Sequence, residues 1–305
     1  MGARRHLFPF LFLLSIAAPS NAGPLEARAP ERVLDEAALA DQVATRGSLR
    51  LLTYNVAGLP EGISRSRPRA NMPEISRLLN RYDLALVQED FWFPEALRAH
   101  LELPHRSFPA RRKSVLGFGD GLSRFGRLPF EDFMRVRWSE CHGVVSHGSD
   151  CLAFKGFTVA THHLARGATV DVYNLHMDAG RAPADLDARR AQTDQLIRSI
   201  ALRSKGRAVL LAGDTNMWRD DEETLGRLME ETGLRDACRE LGCPDPRRID
   251  RVLFRSAPDL SLRPSSWAID ERFVDAAKKA LSDHDAVAVR FRWQMAGAGL
   301  AAAER

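Results

Sequence analysis

Polar side chains suited to a metal site follow several apolar segments of the chain. The stretch "LLAGDTNMW" (210–218) is typical of a buried strand that turns through Gly213 and ends with Asp214 and Asn216. An acid and an amide rarely close a buried strand unless a polar group binds there, because buried polar groups need partners. Further polar residues lie at the ends or edges of other apolar segments: Asn55, Glu89, His176, Asp250, Asp283 and His284.

These residue types indicate a divalent cation and a general base. Carboxylate and amide oxygens are the ligands that Mg²⁺ prefers, and the ion keeps room for waters and a substrate phosphate. A histidine beside such a site can accept a proton from water near neutral pH. Taken singly, Asn55 could be a turn residue, Glu89 a helix cap and His176 a core histidine. The shared position at strand ends favours a site, because strand ends converge at one rim of a layered sheet.

Alternating strands and helices would position these residues. Helical spacing predicts helices at 71–82, at 184–202 with Asp185 as N-cap, and near 221–232. Apolar runs predict strands over seven segments: 48–58, 84–90, 156–164, 168–177, 208–214, 248–254 and 283–293. This order is typical of an α/β or α+β layered fold.

The composition allows a single large domain with a basic surface. The chain has 305 residues, of which 45% are hydrophobic, and a formal net charge of +4. We predict one domain over 48–293 and a C-terminal tail over 294–305. A basic surface suits a phosphate-bearing partner, although a merely solvated face also explains the charge.

The N-terminus has the pattern of an export signal. Two arginines precede the apolar run "LFPFLFLLSIAA" (7–18), and "SNA" (20–22) offers the small residues that a signal peptidase recognises. We predict a signal peptide over 1–22, a leader over 23–47, and an exported protein, either periplasmic or extracellular. An uncleaved membrane anchor is the alternative; no other segment is apolar enough to span a membrane.

Export favours disulfide bonds for the four cysteines. They fall in two local pairs, Cys141 with Cys151 and Cys238 with Cys243. Three connectivities are open, and the two local bridges are the simplest. A zinc site is an alternative, although the chain has no C-x-x-C motif, and buried free thiols are another.

Six short motifs resemble those of the endonuclease/exonuclease/phosphatase superfamily, whose type is the deoxyribonuclease I-like fold. In order, they are "TYNV" (53–56), "QE" (88–89), "NLH" (174–176), "GDTN" (213–216), "RIDRVLF" (248–254) and "SDHDAV" (282–287). The resemblance covers roughly residues 48–293. It implies an α/β fold with four layers, a sandwich in which two mixed β-sheets pack face to face with helices outside.

The resemblance also implies a metal-dependent phosphodiesterase. Glu89, with Asn55 close by, would hold Mg²⁺, and Asp283 is a further candidate near the metal. Mn²⁺ or another divalent cation is the alternative to Mg²⁺. The substrate would be a phosphodiester, whose developing negative charge the cation would help to stabilise.

The same resemblance assigns the remaining residues to the reaction. Asp214 and Asn216 would point at the attacking water and the scissile phosphate. His284 would be the general base, oriented by Asp250, and His176 would join Asn216 in donating hydrogen bonds to phosphate oxygens. Water would attack phosphorus in line, while the protein positions the reactants and stabilises charge.

One further motif favours a phospholipid headgroup over nucleic acid. The stretch "HGSDCLAFKGFTVA" (147–160) resembles neutral sphingomyelinases, in which an Asp precedes Leu-x-x-Lys-Gly just before a strand. Asp150 and Lys155 could form and release an ion pair that gates a choline phosphate headgroup; an ordinary surface salt bridge is the alternative. We therefore predict a sphingomyelinase C-like enzyme that contacts a membrane surface transiently. A secreted nuclease on the same fold and a non-catalytic binding protein are the competing hypotheses.

Overall fold

The fold consists of two six-stranded β-sheets with helices on their outer faces. It comes from a computed structural model that describes residues 44–64, 66–110, 119–143, 150–151 and 153–296. The predicted signal peptide, the leader up to residue 43 and the tail from residue 297 lie outside the described residues. No helix in the described ranges is long and apolar enough to cross a membrane.

Both sheets are mixed, with one parallel pair of strands in each. The strands are β1 (Arg46–Asn55), β2 (Leu84–Gln88), β3 (His105–Arg106), β4 (Ser123–Gly126), β5 (Phe130–Arg137), β6 (Gly156–Ala165), β7 (Ala168–His176), β8 (Val209–Asp214), β9 (Arg235–Asp236), β10 (Asp250–Arg255), β11 (Leu260–Ile269) and β12 (Val287–Met295). The first sheet has the order β11-β12-β1-β2-β4-β3 and the second β5-β6-β7-β8-β10-β9. The parallel pairs are β1 with β2 and β7 with β8.

Helices pack on part of the outer face of each sheet. They are α1 (Pro68–Leu79), α2 (Pro94–Arg98), α3 (Pro183–Arg203), α4 (Glu222–Thr232) and α5 (Ala237–Glu240), with a 3₁₀ turn at Arg219–Asp221. Three of these helices start with proline, which suits the first turn because its missing N–H has no partner there. The predicted N-cap of α3, Asp185, lies instead within the first turn, where its carboxylate accepts a hydrogen bond from the Ala182 N–H at 2.8 Å.

Three apolar clusters separate the four layers. The largest lies between the sheets and contains Leu51 of β1 and Val172 of β7. A second joins the first sheet to α1 through Leu52 and Ile75, and a third joins the second sheet to α3 and α4. Leu51 and Leu52 serve different clusters because consecutive strand residues face opposite sides of a sheet. Truncation of such a fully buried leucine to alanine costs about 2–5 kcal/mol.

Three longer strands escaped the sequence prediction: β4, β5 and β11. The register of β5 shifts between Glu131 and Met134, where Asp132 adopts a φ of 52°. The register of β11 shifts after Pro264, and this strand lies at the edge of its sheet, where proline is tolerated. Such irregularities interrupt the period-two pattern that identifies a strand in a sequence.

Both local disulfides are present in the structure. Cys141 and Cys151 have Cα atoms 5.3 Å apart, and those of Cys238 and Cys243 are 5.0 Å apart. Neither a zinc site nor a free thiol is therefore needed to explain these four residues. The first bridge joins Cys141, which follows β5, to Cys151, which precedes β6, and the second closes the turn after α5.

Candidate active site

The predicted site residues lie at one rim of the two sheets. Parallel pairing brings the carboxyl ends of β1 and β2, and of β7 and β8, to this rim, while the antiparallel strands β10 and β12 begin there. The register places His176 opposite Asp214, and Asp214 opposite Asp250. The residues brought together, here called the polar cluster, are Asn55, Glu89, His176, Asp214, Asp250 and His284.

The Asp214 carboxylate is the centre of the polar cluster. Its Oδ2 lies 3.1 Å from Asn55 Nδ2, 3.4 Å from His176 Nε2 and 3.8 Å from His284 Nε2. The Asn55 amide also donates to Glu89 Oε1 at 3.0 Å. One buried carboxylate thus contacts residues from both sheets, so that neither sheet alone could form the site.

His284 is held by two neighbouring groups. Its Nδ1 lies 2.9 Å from Asp250 Oδ2, which leaves Nε2 facing Asp214. Its backbone N–H donates to the Ser282 hydroxyl, and this hydroxyl donates to the Asn55 carbonyl at 2.7 Å. The loop before β12 is therefore tied to the end of β1, and the imidazole has a defined orientation.

Unusual backbone conformations occur at Glu89 of the polar cluster and at Asn216, two residues after Asp214. Glu89 has a φ of 60° and Asn216 a φ of 49°, in a left-handed region that residues other than glycine rarely adopt. Such strain is maintained only where surrounding contacts enforce it, and it concentrates at functional sites. Gly213 has a φ of 150°, and a Cβ at this position would come within 2.0 Å of the Leu175 carbonyl oxygen. The Gly-Asp-Thr-Asn turn therefore requires glycine.

Burial and nearby charges shift the pKa values of the two histidines in opposite directions. Burial lowers the pKa of His176 well below its usual value, and the positive charges of Lys155 and His284 add to the effect. Burial also disfavours the charged form of His284, but the hydrogen bond to Asp250 and the nearby carboxylates outweigh it and raise the pKa to about 10. His176 is therefore neutral at pH 7, whereas the surrounding carboxylates favour the protonated form of His284.

The polar cluster has the chemistry of a divalent-cation site. Asp214, Asp250 and His284 offer ligand atoms within 4.8 Å of one another. The Oδ1 atom of Asp250 is buried and has no hydrogen-bond partner among the described residues. Burial raises the pKa of Glu89, a cost that a bound cation would offset because it favours the charged carboxylate. These residues fit an oxygen-preferring divalent cation.

The predicted metal ligands do not all lie in the polar cluster. Asn55 and Glu89 belong to it, with Asn55 Nδ2 lying 3.0 Å from Glu89 Oε1. Asp283 is solvent-exposed, and no hydrogen bond or ion pair found within the described ranges joins it to the other site residues. The side chain of its neighbour His284 points into the polar cluster instead, where its Nδ1 forms a hydrogen bond with Asp250.

The interpretation of Asp150 and Lys155 as a surface salt bridge is wrong. The two side chains form an ion pair in which they are only 9% and 7% exposed. Lys155 Nζ also donates to the Met177 carbonyl at 3.2 Å, and Asn216 donates to the same oxygen at 3.1 Å. Asp150 accepts from the Ala179 N–H at 3.0 Å. The pair therefore supports the segment after β7, beside the polar cluster.

A second buried ion pair supports the site and escaped the sequence analysis. Arg189 and Asp221 pair at 2.9 Å, with side chains 0% and 1% exposed. Arg189 also donates to the carbonyl oxygens of Asp178 and Gly180, while Asp221 accepts from the Trp218 N–H. The pair thus joins the loop after His176 to the loop after Asn216. The sequence signal that could have revealed this ion pair is the position of Arg189 on the apolar face of α3.

The fold and the polar cluster together define a class of protein: hydrolases that act on phosphate esters with the help of a divalent cation. Residues 52–284 match the endonuclease/exonuclease/phosphatase family, and the chain belongs to that family. The description of this family names endonucleases, exonucleases and phosphatases, which are enzymes that hydrolyse phosphate esters.

Comparison with individual proteins agrees with this assignment. The chain is 31% identical over 269 residues to a sphingomyelinase of Mycobacterium tuberculosis (strain ATCC 25618 / H37Rv), a match that covers 81% of this chain and 53% of the relative. The chain thus spans about half the length of the curated relatives it matches.

Solved structures of low sequence identity share the fold. A mutant of Staphylococcus aureus beta toxin, solved with bound magnesium ions, is 15% identical with a TM-score of 0.58, over 80% of this chain and 99% of that chain. D. rerio TDP2, solved with a single-strand DNA product, is 16% identical with a TM-score of 0.61, over 80% and 98%. Both likenesses support the deoxyribonuclease I-like sandwich of four layers.

Proposed function

We propose that the protein is an exported, Mg²⁺-dependent phosphodiesterase of sphingomyelinase C type, which releases phosphocholine from sphingomyelin. The observation that carries the proposal is the buried Asp214 carboxylate, which lies within 4 Å of Asn55, His176 and His284. The similarity to a mycobacterial sphingomyelinase supports the lipid substrate. We propose a periplasmic or extracellular location from the sequence pattern at residues 1–22.

Asn55 and Glu89 would hold the cation, for which Mn²⁺ is the alternative. The burial of Glu89 supports its assignment as a ligand. Asn55 faces Glu89 through its Nδ2 donor at 3.0 Å, so it would have to present Oδ1 to the cation instead. When bound, the cation would stabilise charge on the phosphate and offset the carboxylate field that keeps His284 protonated. Asp283 is the third proposed ligand, and its exposure makes it the first to test by substitution.

His284 would accept the proton of the attacking water at Nε2. Asp250 would hold the ring through Nδ1, in the geometry that the 2.9 Å hydrogen bond supports. Neutral His176 and the Asn216 amide would donate hydrogen bonds to phosphate oxygens as charge develops. The Asn216 amide nitrogen has two hydrogens, one of which is engaged by the Met177 carbonyl. Asp214 would accept a hydrogen bond from the water and keep it in line with phosphorus.

Asp150 and Lys155 would control the access of a choline phosphate headgroup. Their buried ion pair and the hydrogen bond from Lys155 to the Met177 carbonyl support a location beside the polar cluster. Release of this pair would free the Lys155 ammonium group to bind the substrate phosphate. The similarity to a mycobacterial sphingomyelinase favours a phospholipid headgroup over nucleic acid as the substrate.

A nuclease is the second candidate function. Its support is the fold shared with D. rerio TDP2, which was solved with a single-strand DNA product, together with the net charge of +4. A non-catalytic binding protein is disfavoured, because such a protein would have no need of a buried acid that faces two histidines.

The test is a panel of substrates for the purified protein with added Mg²⁺. Phosphocholine release from sphingomyelin and nicking of plasmid DNA are measured side by side at low and high salt, with His284→Ala as the control for contaminating enzymes. Sphingomyelin hydrolysis that is lost in the control supports the proposal. Plasmid nicking that fades as salt rises, without phosphocholine release, would establish the nuclease instead. Activity on neither substrate would contradict both.

A further inference from the structure

The outer face of the first sheet carries arginines in facing pairs. Arg50 of β1 lies directly opposite Arg290 of β12, and Arg292 of β12 lies directly opposite Arg263 of β11. The intervening residues of β12 point to the core between the sheets, so these arginines point away from it. Arg263, Arg290 and Arg292 are exposed, and Arg50 is half-buried. Together with exposed Arg81, which follows α1, they are called the arginine face.

Most of these charges have no acidic partner. Like charges directly opposite each other destabilise a sheet, so facing arginines need compensation. Arg50 has it, in an ion pair with Asp83 at 2.8 Å. The ion pairs found within the described ranges include none for the other four residues: Arg81, Arg263, Arg290 and Arg292. The arginine face thus carries a positive charge that an external anion could neutralise.

Two pockets share Arg50 and Arg290. The first lies on the arginine face, and the second opens between the two sheets, because the core residues Leu49 of β1 and Leu164 of β6 also line it. One has a volume of about 370 Å³ and is also lined by Arg81 and Arg272. The other has a volume of about 520 Å³ and is also lined by Arg46. Arginine binds phosphate through two parallel N–H groups. In the first pocket Asp83 pairs with Arg50 and Asp270 with Arg272, so Arg81 and Arg290 are the arginines that would offer donors to a phosphate there.

We propose that the arginine face binds the anionic headgroups of a phospholipid membrane. Its charges spread over three adjacent strands, which lie about 4.8 Å apart. Charges spread over this width match a layer of lipid headgroups better than they match a single strand of nucleic acid. Proteins that bind single-stranded nucleic acid stack its bases on aromatic rings. The rings that line the two pockets, Tyr82 and Trp293, are buried instead.

The arginine face is separate from the polar cluster but lies on the same strand. β12 begins at Val287, three residues after His284, and its next residue, Ala288, lines the first pocket. A membrane bound at the arginine face would therefore keep the rim of the sheets close to the lipid. The inference does not depend on the proposed reaction, because it concerns binding to lipids that the polar cluster would not cleave.

The test measures co-sedimentation with vesicles that contain no sphingomyelin, made of phosphatidylcholine alone or mixed with phosphatidylglycerol. The wild type should bind the mixed vesicles, less at high salt, and phosphatidylcholine alone weakly. Arg290→Glu/Arg292→Glu should weaken this binding about tenfold or more, and the neutral Arg290→Gln/Arg292→Gln less. The matched control is Arg190→Glu/Arg198→Glu, which makes the same charge change on the exposed side of α3. Hydrolysis of a small soluble phosphodiester and the melting temperature check that each variant is folded.

Three results would overturn the inference. One is an absence of wild-type binding to the mixed vesicles. Another is equal loss of binding in the β12 variant and the α3 control, which would reflect net charge and not the arginine face. The third is binding of the wild type to duplex DNA but not to vesicles, which would assign the surface to a different anion.

Discussion

Substitution of Lys155 by methionine tests the buried ion pair and the proposed gate together. The change removes the charge and keeps most of the apolar side chain, so Asp150 remains buried without its cation. Breaking a buried pair from one side costs about 3–5 kcal/mol, because the other charge stays uncompensated. The surviving hydrogen bond from the Ala179 N–H places the expected value towards the lower end. For a domain of this size the loss corresponds to a melting temperature about 6–15 °C lower.

The double variant Asp150→Asn/Lys155→Met separates stability from gating. It leaves no unpaired charge, so the melting temperature should return most of the way to the wild-type value. Calorimetry measures this recovery, and phosphocholine release with and without Mg²⁺ measures the reaction. If Lys155 serves the substrate, the double variant should be stable and still bind Mg²⁺, yet be inactive on sphingomyelin.

Two results would refute this reasoning. A melting temperature of Lys155→Met within a degree or two of the wild type would mean that the pair is solvated in solution, since exposed pairs contribute only about 0–1 kcal/mol. Full sphingomyelin hydrolysis by the double variant would leave the pair as a structural support and remove it from the proposed mechanism.

Three further predictions concern the metal, the base and the pH dependence of stability. Glu89→Gln should lower activity by orders of magnitude with only partial rescue by excess Mg²⁺, and Asp283→Asn should lower it less, because an exposed carboxylate binds a cation more weakly than a buried one; full turnover in EDTA would contradict a metal site. His284→Ala should lower kcat about 10²–10⁴-fold, and Asp250→Asn less, because it disturbs orientation and not the acceptor; near-normal turnover of His284→Ala would exclude it as the base. Burial opposes ionisation of Asp83, but hydrogen bonds from Arg50 outweigh it and lower the pKa of this carboxyl below 3.8. The ion pair of Arg50 and Asp83 should therefore stabilise the fold above pH 4, by about 1 kcal/mol at most. This stabilisation should be lost as the pH falls through the folded-state pKa of Asp83. Urea unfolding of Asp83→Asn should differ from the wild type at pH 6 and converge with it at acid pH; an equal difference at both would contradict the assignment.

Local sequence patterns were sufficient for the elements that follow regular periods. The helix at 184–202 was predicted within one residue of α3 at each end, because its apolar positions recur at helical spacing. The strand ending at Asp214 was predicted as β8, because an apolar run ends at a glycine turn. β5 and β11 were missed because bulges and Pro264 break their alternation. The pairing of strands into two sheets came from the family resemblance, since periodicity carries no information on which strands are neighbours.

The sequence by itself determined which residue types stand at the strand ends, and so the chemistry available: carboxylates, amides and histidines that suit a cation and a phosphate. Only the tertiary structure decided which of them meet. Asp283 and His284 are adjacent in the chain, yet one is exposed and the other faces Asp214, because the hydrogen bond to Asp250 orients the imidazole inward. The tertiary structure also buried the pair of Asp150 and Lys155, which sequence spacing could not distinguish from a surface salt bridge. Burial depends on what packs over a side chain, and those neighbours come from distant parts of the chain.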